Sequence, residues 1–171
     1  MAIVYLGIGS NIEPERYISA GLDALHGLFG ELALSSVYES AAVGFDGRPF
    51  LNLVARVETH LPLAALAATL RDLEVAHGRP PDATRFESRR LDIDILTYDQ
   101  QVGCFGQVTL PRDEISYNAF VLCPLAELAP DERHPTLGLS YRALWDAYEQ
   151  SRQRVWPVDF LWRGRVISRA P

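Results

Sequence analysis

The chain has 171 residues, 48% of them hydrophobic, which suits one compact domain with a sizeable core. A formal net charge of -6 argues against a general nucleic-acid binder, whose phosphate affinity needs a broad basic face. All 16 basic residues are arginine, and the absence of lysine excludes a Walker-type phosphate loop, Schiff-base chemistry and a kinase-type strand lysine.

Cys104 and Cys123 are far apart and have no histidines at zinc spacing, so neither a disulfide framework nor a structural zinc site is expected. Met1 to Tyr5 lacks a basic segment, and Glu13 and Glu15 interrupt the apolar pattern early. Neither a signal peptide nor a membrane span is expected, and the chain reads as cytoplasmic.

Ala2 to Ile8 is an apolar run with β-branched and aromatic members, and Gly7 to Asn11 predicts a tight turn at its end. A helix follows: Pro14 suits its first turn, Glu13 and Glu15 suit its positive end, and Tyr17, Ile18, Leu22, Leu25 and Phe29 recur at helical spacing. The Gly-x-Gly before it lacks the third glycine and the later acid of a dinucleotide fingerprint. Leu32 to Ser40 and Phe50 to Thr59 predict two more strands. The connection Ala41 to Pro49, with two glycines and a proline, is longer than a hairpin requires and suits a binding loop. Leu61 to His77 predicts the clearest helix, with Pro62 at its start, Leu63, Leu66, Leu70 and Leu73 as its stripe and Gly78 just past its end.

A loop from Arg79 to Ser88 then leads into a fourth strand, Leu91 to Tyr98. The order strand, helix, strand, strand, helix, strand is that of a ferredoxin-like α/β sandwich of the α+β class, an antiparallel sheet with helices on one face. Further on, Gln101 to Pro111 is turn-rich with short strand pieces, and Glu114 to Leu128 holds a short helix beneath the sheet. Ser140 to Gln153 predicts a last helix with Leu144, Trp145 and Tyr148 inward, and Val155 to Ser168 a hairpin turning at Arg163-Gly164. No repeat or linker divides the chain, so residues 1–171 are expected to form a single domain.

The chemistry concentrates between Arg85 and Leu96. In Leu91-Asp92-Ile93-Asp94-Ile95-Leu96 two carboxylates alternate with aliphatic residues at the period of a strand, so both acids project from one face. Hard divalent cations take oxygen ligands, and phosphates take cations and bidentate donors. With Arg79, Arg85, Arg89 and Arg90 immediately upstream, the pattern suits a magnesium-bound polyphosphate. The same alternation also describes the wet face of a half-buried antiparallel strand; the poor strand propensity of Asp and the arginine cluster weigh against that.

Six pieces, in this order, resemble the 6-hydroxymethyl-7,8-dihydropterin pyrophosphokinases of folate synthesis. They are Tyr5 to Asn11, Ser35 to Ser40, Phe50-Leu51-Asn52, Glu74 with Gly78-Arg79, Arg85 to Leu96, and Phe120 to Glu127, together covering roughly residues 2–135 and leaving 140–171 as a C-terminal extension. The resemblance implies a ferredoxin-like fold and transfer of pyrophosphate from ATP to the hydroxymethyl group of a reduced pterin, releasing AMP. It implies two magnesium ions on Asp92 and Asp94, and it implies that Arg79 and Arg89 are catalytic and, with Arg85, clasp the triphosphate. Arg112 and Glu74 correspond to nucleotide-side positions, although Glu74 equally suits an ordinary acid on an exposed helix face. For the pterin, Phe50, Phe86 and Phe120 match aromatic walls, Asn52 matches an amide reader, and Ser40 and Val43 match a loop that supplies backbone contacts. Asn52 lies inside an apolar strand, where a buried amide needs partners. The implied partners are small molecules only, ATP and the pterin, with no nucleic acid, no membrane and a monomeric state.

Departures from the pattern concern function directly. Arg112 stands for a histidine, Asn118 and Pro81 for arginines, Phe86 for a tryptophan, and Glu87-Ser88 for Gly-Pro. Two cationic groups are lost and an anion is added near the polyphosphate path, so slower turnover is expected, each charge-assisted contact being worth about 1.5–3 kcal/mol. A divergent paralogue that binds pterin or nucleotide without efficient transfer is the alternative. An RNA-recognition-type sandwich shares the element order but lacks the aromatic and basic strand signature.

Overall fold

The computed structural model describes residues 1–41, 48–78 and 90–171. Its centre is a sheet in which β1 (Ala2–Ser10) lies between β4 (Phe50–Thr59) and β5 (Asp92–Tyr98), antiparallel to both. β3 (Val37–Ser40) continues the sheet beyond β4, and the two-residue β2 (Ala33–Leu34) also pairs with β4. The expected strand over Leu32 to Ser40 is therefore two pieces, because Ser35 leaves the ladder. The Ser35 hydroxyl accepts the Val54 N–H at 2.9 Å while the Ser35 N–H donates to Val54 O, also at 2.9 Å.

The first strand runs through Gly7 and Gly9 to Ser10, two residues past the expected end at Ile8, and the chain bends from Asn11 onward. Both flanking strands pair with it along this stretch, and a strand hydrogen-bonded on two sides has no freedom to turn. On one face of the sheet Val4, Leu6, Ile8, Leu53, Ala55, Val57, Ile93 and Ile95 form a core with α1 (Pro14–Phe29) and α2 (Leu63–Ala76). α1 contributes Ile18, Leu22 and Leu25, and α2 contributes Leu66, Leu70 and Leu73, the stripes that the 3.6-residue period requires. The expected ferredoxin-like βαββαβ order with its two helices on one face is present.

Between the sheet and the next helix lie β6 (Gly103–Phe105) and β7 (Val108–Leu110), a small hairpin. A 3-10 turn over Asp113–Ser116 precedes α3 (Ala119–Leu128), and α3 with α4 (Tyr141–Ala147) covers the opposite face of the sheet. There Tyr5, Val54, Leu96, Ile115, Val121, Leu122, Leu125 and Tyr141 form a second core. α4 is shorter than expected; Leu144, Trp145 and Tyr148 pack against this core, the last two stacked with centroids 5.5 Å apart.

The C-terminal segment divides in two. β8 (Trp156–Val158) leaves the expected hairpin to join the edge of the main sheet beside β3, with Tyr38 opposite Pro157. β9 (Phe160–Trp162) and β10 (Arg165–Ser168) form the hairpin itself, turning at Arg163-Gly164, both with positive φ. Trp162 and Arg163 reach α1, donating to Asp23 Oδ1 at 3.0 and 2.8 Å. A proline in β8 is tolerated there because an edge strand has no further ladder to feed.

Candidate active site

Cross-strand register decides what the second face offers. Asp92, Gly9, Asn52 and Tyr38 are successive partners across β5, β1, β4 and β3, and one row along Asp94 faces Gly7 and Gly7 faces Val54. Residues paired this way share a face. Because Ile93 and Ile95 turn into the helix-covered core, Asp92 and Asp94 turn to the other side together, as the strand period predicts. Asp92 stands two strands from Asn52, roughly 10 Å at normal strand spacing. Between them Gly9 has no side chain, and a Cβ there would lie 2.5 Å from Asn52 Oδ1. The two glycines thus make a floor, a use that glycines spaced by two within a strand signal in the sequence.

Above this floor is a cleft of about 320 Å³, lined by Phe50, Phe120, Asn52 and Ser40 at one end and by Asp92, Asp94 and Arg112 at the other. Two buried polar atoms on its wall, Asn52 Nδ2 and Ser40 Oγ, have no hydrogen-bond partner among the described residues. An orphaned buried donor of this kind is costly unless a ligand satisfies it. Phe120 is carried by the first turn of α3, and the same helix is fastened to β3 by Glu127. Its carboxylate accepts the Ser36 N–H at 2.9 Å, the Ser36 hydroxyl at 2.8 Å and the Tyr38 hydroxyl at 2.9 Å.

A second cleft, about 340 Å³, lies on the other side of the two acids, between α2, β5 and β7. Arg71, Glu74, Gln107 and Thr109 line it, and Asp92, Asp94 and Arg112 are common to both clefts. Glu74 is not on an exposed helix face: it is 4% exposed, and Oε2 accepts the Ile93 N–H at 2.7 Å. β5 is an outer strand, so an inward-facing acid on α2 can take an N–H that no neighbouring strand uses. Glu74 thereby grips β5 between its two aspartates.

Charge is concentrated where the clefts meet. Burial, followed by the adjacent charge of Asp92, pushes the Asp94 carboxyl well above the usual carboxylate range, with Arg112 opposing. Burial disfavours the charge on Arg112, but Asp94 and Glu114 outweigh it and hold the guanidinium above its ordinary value. Arg112 lies 3.6 Å from Asp94 and makes shorter contacts, 2.6 and 2.9 Å, to Glu114 Oε1.

Of the residues expected in the site, Ser40, Phe50, Asn52, Glu74, Asp92, Asp94, Arg112 and Phe120 line one cleft or both. Val43, Arg79, Arg85, Phe86 and Arg89 lie outside the described residues, as do Pro81, Glu87 and Ser88. Arg90 is exposed. Gly7, Gly9, Arg71, Glu114 and Tyr117 also line the clefts without having been expected there. For Arg71 and Tyr117 no local signal marks them; their place follows from α2 and the 3-10 turn being brought to β5.

A sequence profile described as 7,8-dihydro-6-hydroxymethylpterin-pyrophosphokinase matches residues 5–130. The chain is 39% identical to a Pseudomonas aeruginosa 2-amino-4-hydroxy-6-hydroxymethyldihydropteridine pyrophosphokinase over 77% of its length and 83% of that protein. It is 33% identical to the Schizosaccharomyces pombe folic acid synthesis protein fol1, over 78% of its length and 19% of that longer protein. Among solved structures it is similar to Plasmodium falciparum wild-type HPPK-DHPS with pteroate, with a TM-score of 0.70 at 13% identity. That match takes in 98% of this chain and 47% of the other, so the chain spans about half of that structure, and the likeness concerns the fold.

Proposed function

The chain belongs to the 7,8-dihydro-6-hydroxymethylpterin-pyrophosphokinase family, and from that premise we propose that it transfers pyrophosphate from ATP to the hydroxymethyl group of 6-hydroxymethyl-7,8-dihydropterin, giving the pterin diphosphate and AMP in folate synthesis. The observation that carries this is the meeting of two chemically different clefts on one pair of carboxylates. A flat heterocycle with an amide edge suits the first: Phe50 and Phe120 supply aromatic faces, and Asn52 Nδ2 and Ser40 Oγ await hydrogen-bonding partners. A nucleotide suits the second, where Arg71 and Arg112 supply cations and Glu74 holds the strand between them.

In the transfer the pterin hydroxyl oxygen gives up its proton to water and forms a bond to the β-phosphorus, and the bond from that phosphorus to the oxygen bridging towards AMP breaks. Negative charge therefore grows on the departing oxygen and on the β-phosphoryl oxygens. Arg112 stands at the junction to offset it, and Arg79, Arg85 and Arg89, which lie outside the described residues, are assigned to the triphosphate from the sequence resemblance alone. Phe86 and Val43 are assigned to the pterin on the same basis. The rest of the catalysis is alignment: β5 and β4 are neighbours of one strand, so the acids and the pterin slot share a rigid floor.

Asp92 and Asp94 fit magnesium by their donor chemistry. They are hard oxygen ligands on one face of one strand, and the described residues hold no group of three or more His, Cys, Asp or Glu able to enclose a metal. Magnesium is commonly held by one or two carboxylates, with phosphates and water completing its shell. Two such ions, when bound, would neutralise phosphate charge on both the attacking and leaving sides. The enzyme works as a monomer in the cytoplasm on this proposal; its two cysteines are free, as suits a reducing compartment, and among the described residues no helix is long and apolar enough to cross a membrane.

The test mixes purified protein, magnesium, ATP and the hydroxymethyl-dihydropterin. AMP with the pterin diphosphate is the expected product pair; ADP in place of AMP, or pterin binding with no transfer, would reject the reaction. Asp94→Ala should abolish magnesium-dependent ATP binding in calorimetry, and an unchanged affinity would reject the metal assignment.

A further inference from the structure

A directional hydrogen-bonded chain joins the C-terminal part of the protein to the junction of the two clefts. Gln153, in the turn after α4, has both ends of its amide committed. Oε1 accepts the Ala119 N–H at 2.9 Å, at the head of α3, and Nε2 donates to Asn118 Oδ1 at 2.8 Å. With its oxygen thus engaged, Asn118 turns its Nδ2 to Glu114 and donates to Oε2 at 2.7 Å. The other oxygen of Glu114 takes two N–H groups of Arg112, from Nε at 2.9 Å and Nη2 at 2.6 Å. Asn118 and Glu114 are buried, so the bond between them is shielded from water, while the links to Gln153 and Arg112 are part-buried.

The distances show what the chain does to Arg112. Its guanidinium could close on either Glu114 or Asp94, and it sits a full ångström nearer the first, at 2.6 Å against 3.6 Å. Glu114 therefore holds the cation closer to itself than to Asp94, which the guanidinium still faces. It also locks a long side chain in one orientation before any ligand arrives, so the cation needs no reorganisation when phosphate charge develops.

We propose that Gln153, Asn118 and Glu114 are positioning residues for the transfer: they hold Arg112 at the junction of the clefts, beside Asp94, which makes a residue of the C-terminal part a determinant of nucleotide and magnesium use. The inference rests on Arg112 facing the nucleotide, as proposed above.

Gln153→Glu tests it directly. The substitution keeps an oxygen for the Ala119 N–H and adds favourable negative charge at the head of α3, but it removes the donor that Asn118 requires. Asn118 then reverses its amide and turns an oxygen towards Glu114. Because buried Glu114 Oε2 loses its donor, the thermal midpoint is expected to fall by about 2–4 °C, while kcat/KM for ATP falls about tenfold and the magnesium concentration for half-maximal rate increases severalfold. In an Arg112→Ala background the same change should alter kcat/KM by less than about twofold, because the chain then has nothing to position. Undiminished kcat/KM and magnesium dependence in Gln153→Glu, or equal losses in both backgrounds, would overturn the positioning chain. Full activity in Arg112→Ala would overturn the role of Arg112 and the chain with it. If the wild-type protein releases no AMP, the fault lies with the proposed reaction, and the same cycle measured as magnesium-ATP affinity by calorimetry supports or overturns the chain by the same criterion.

Discussion

Replacing Gly9 with alanine should damage pterin binding far more than folding. Gly9 pairs with Asp92 on one side and Asn52 on the other, and an added Cβ would meet Asn52 Oδ1 at 2.5 Å. The contacted atom is the end of a side chain, so the sheet can absorb the methyl by rotating the amide, and the stability cost should stay near the low end of overpacking, about 1 kcal/mol. For a chain of this size that corresponds to a fall of roughly 2–4 °C in Tm. The rotated amide, however, loses its alignment with the cleft. Two net hydrogen bonds at about 0.5–1.5 kcal/mol each amount to about 1–3 kcal/mol, or roughly 5-fold to 150-fold in Kd for the pterin. Calorimetric titration of wild type and Gly9→Ala with the hydroxymethyl-dihydropterin, alongside thermal melts, separates the two effects. An unchanged Kd in a folded Gly9→Ala protein would show that Asn52 does not read the ligand, and the assignment of the aromatic cleft would fail with it.

Glu74→Ala leaves the buried Ile93 N–H without its acceptor and should cost about 1–3 kcal/mol in chemical denaturation, whereas Glu74→Gln, which keeps an oxygen, should recover most of it; equal losses would mean that packing, not this bond, matters. Burial lowers the pKa of His134 below its ordinary 6.5, and Nδ1 accepts N–H groups from Thr136 and Leu137 at 3.2 and 3.1 Å. The unfolded chain then binds the extra proton first, so stability from this group is present above about pH 6.5 and is lost as pH falls towards the folded value. A His134→Gln protein should accordingly show a shallower decline in Tm between pH 7 and pH 5, and an identical decline would refute the assignment. Burial raises the Cys123 thiol to about 11, with the Tyr38 hydrogen bond opposing. At pH 8 such a thiol is about a thousandth ionised, so iodoacetamide should modify exposed Cys104 well before half-buried Cys123. Mass spectrometry of the peptides decides the order.

Periodicity made the central part of this protein legible from its letters. Alternation from Leu91 to Leu96 put Asp92 and Asp94 on one face whatever lay around them, and the leucines of α2 and the apolar positions of α1 marked the faces that meet the sheet. Element order limited the topology to one in which Asn52 and the two acids flank the same strand. The first strand ran two residues past its expected end at Ile8, because the pairing of β4 and β5 with both edges of β1 is a long-range fact that a Gly-x-Gly cannot announce.

What tertiary structure alone decided is which element each prepared face would meet. A helical stripe says that Leu70 and Leu73 turn inward; it does not say that Glu74 beside them will find the unused N–H of Ile93. The departure of β8 to the edge strand, the arrival of α3 over the glycine floor and the run of bonds from Gln153 to Arg112 all join residues distant in the chain. Side-chain period is a property of one backbone segment and can be read from it, whereas partner choice is settled only when buried surfaces compete to cover one another and every buried polar group must find its bond.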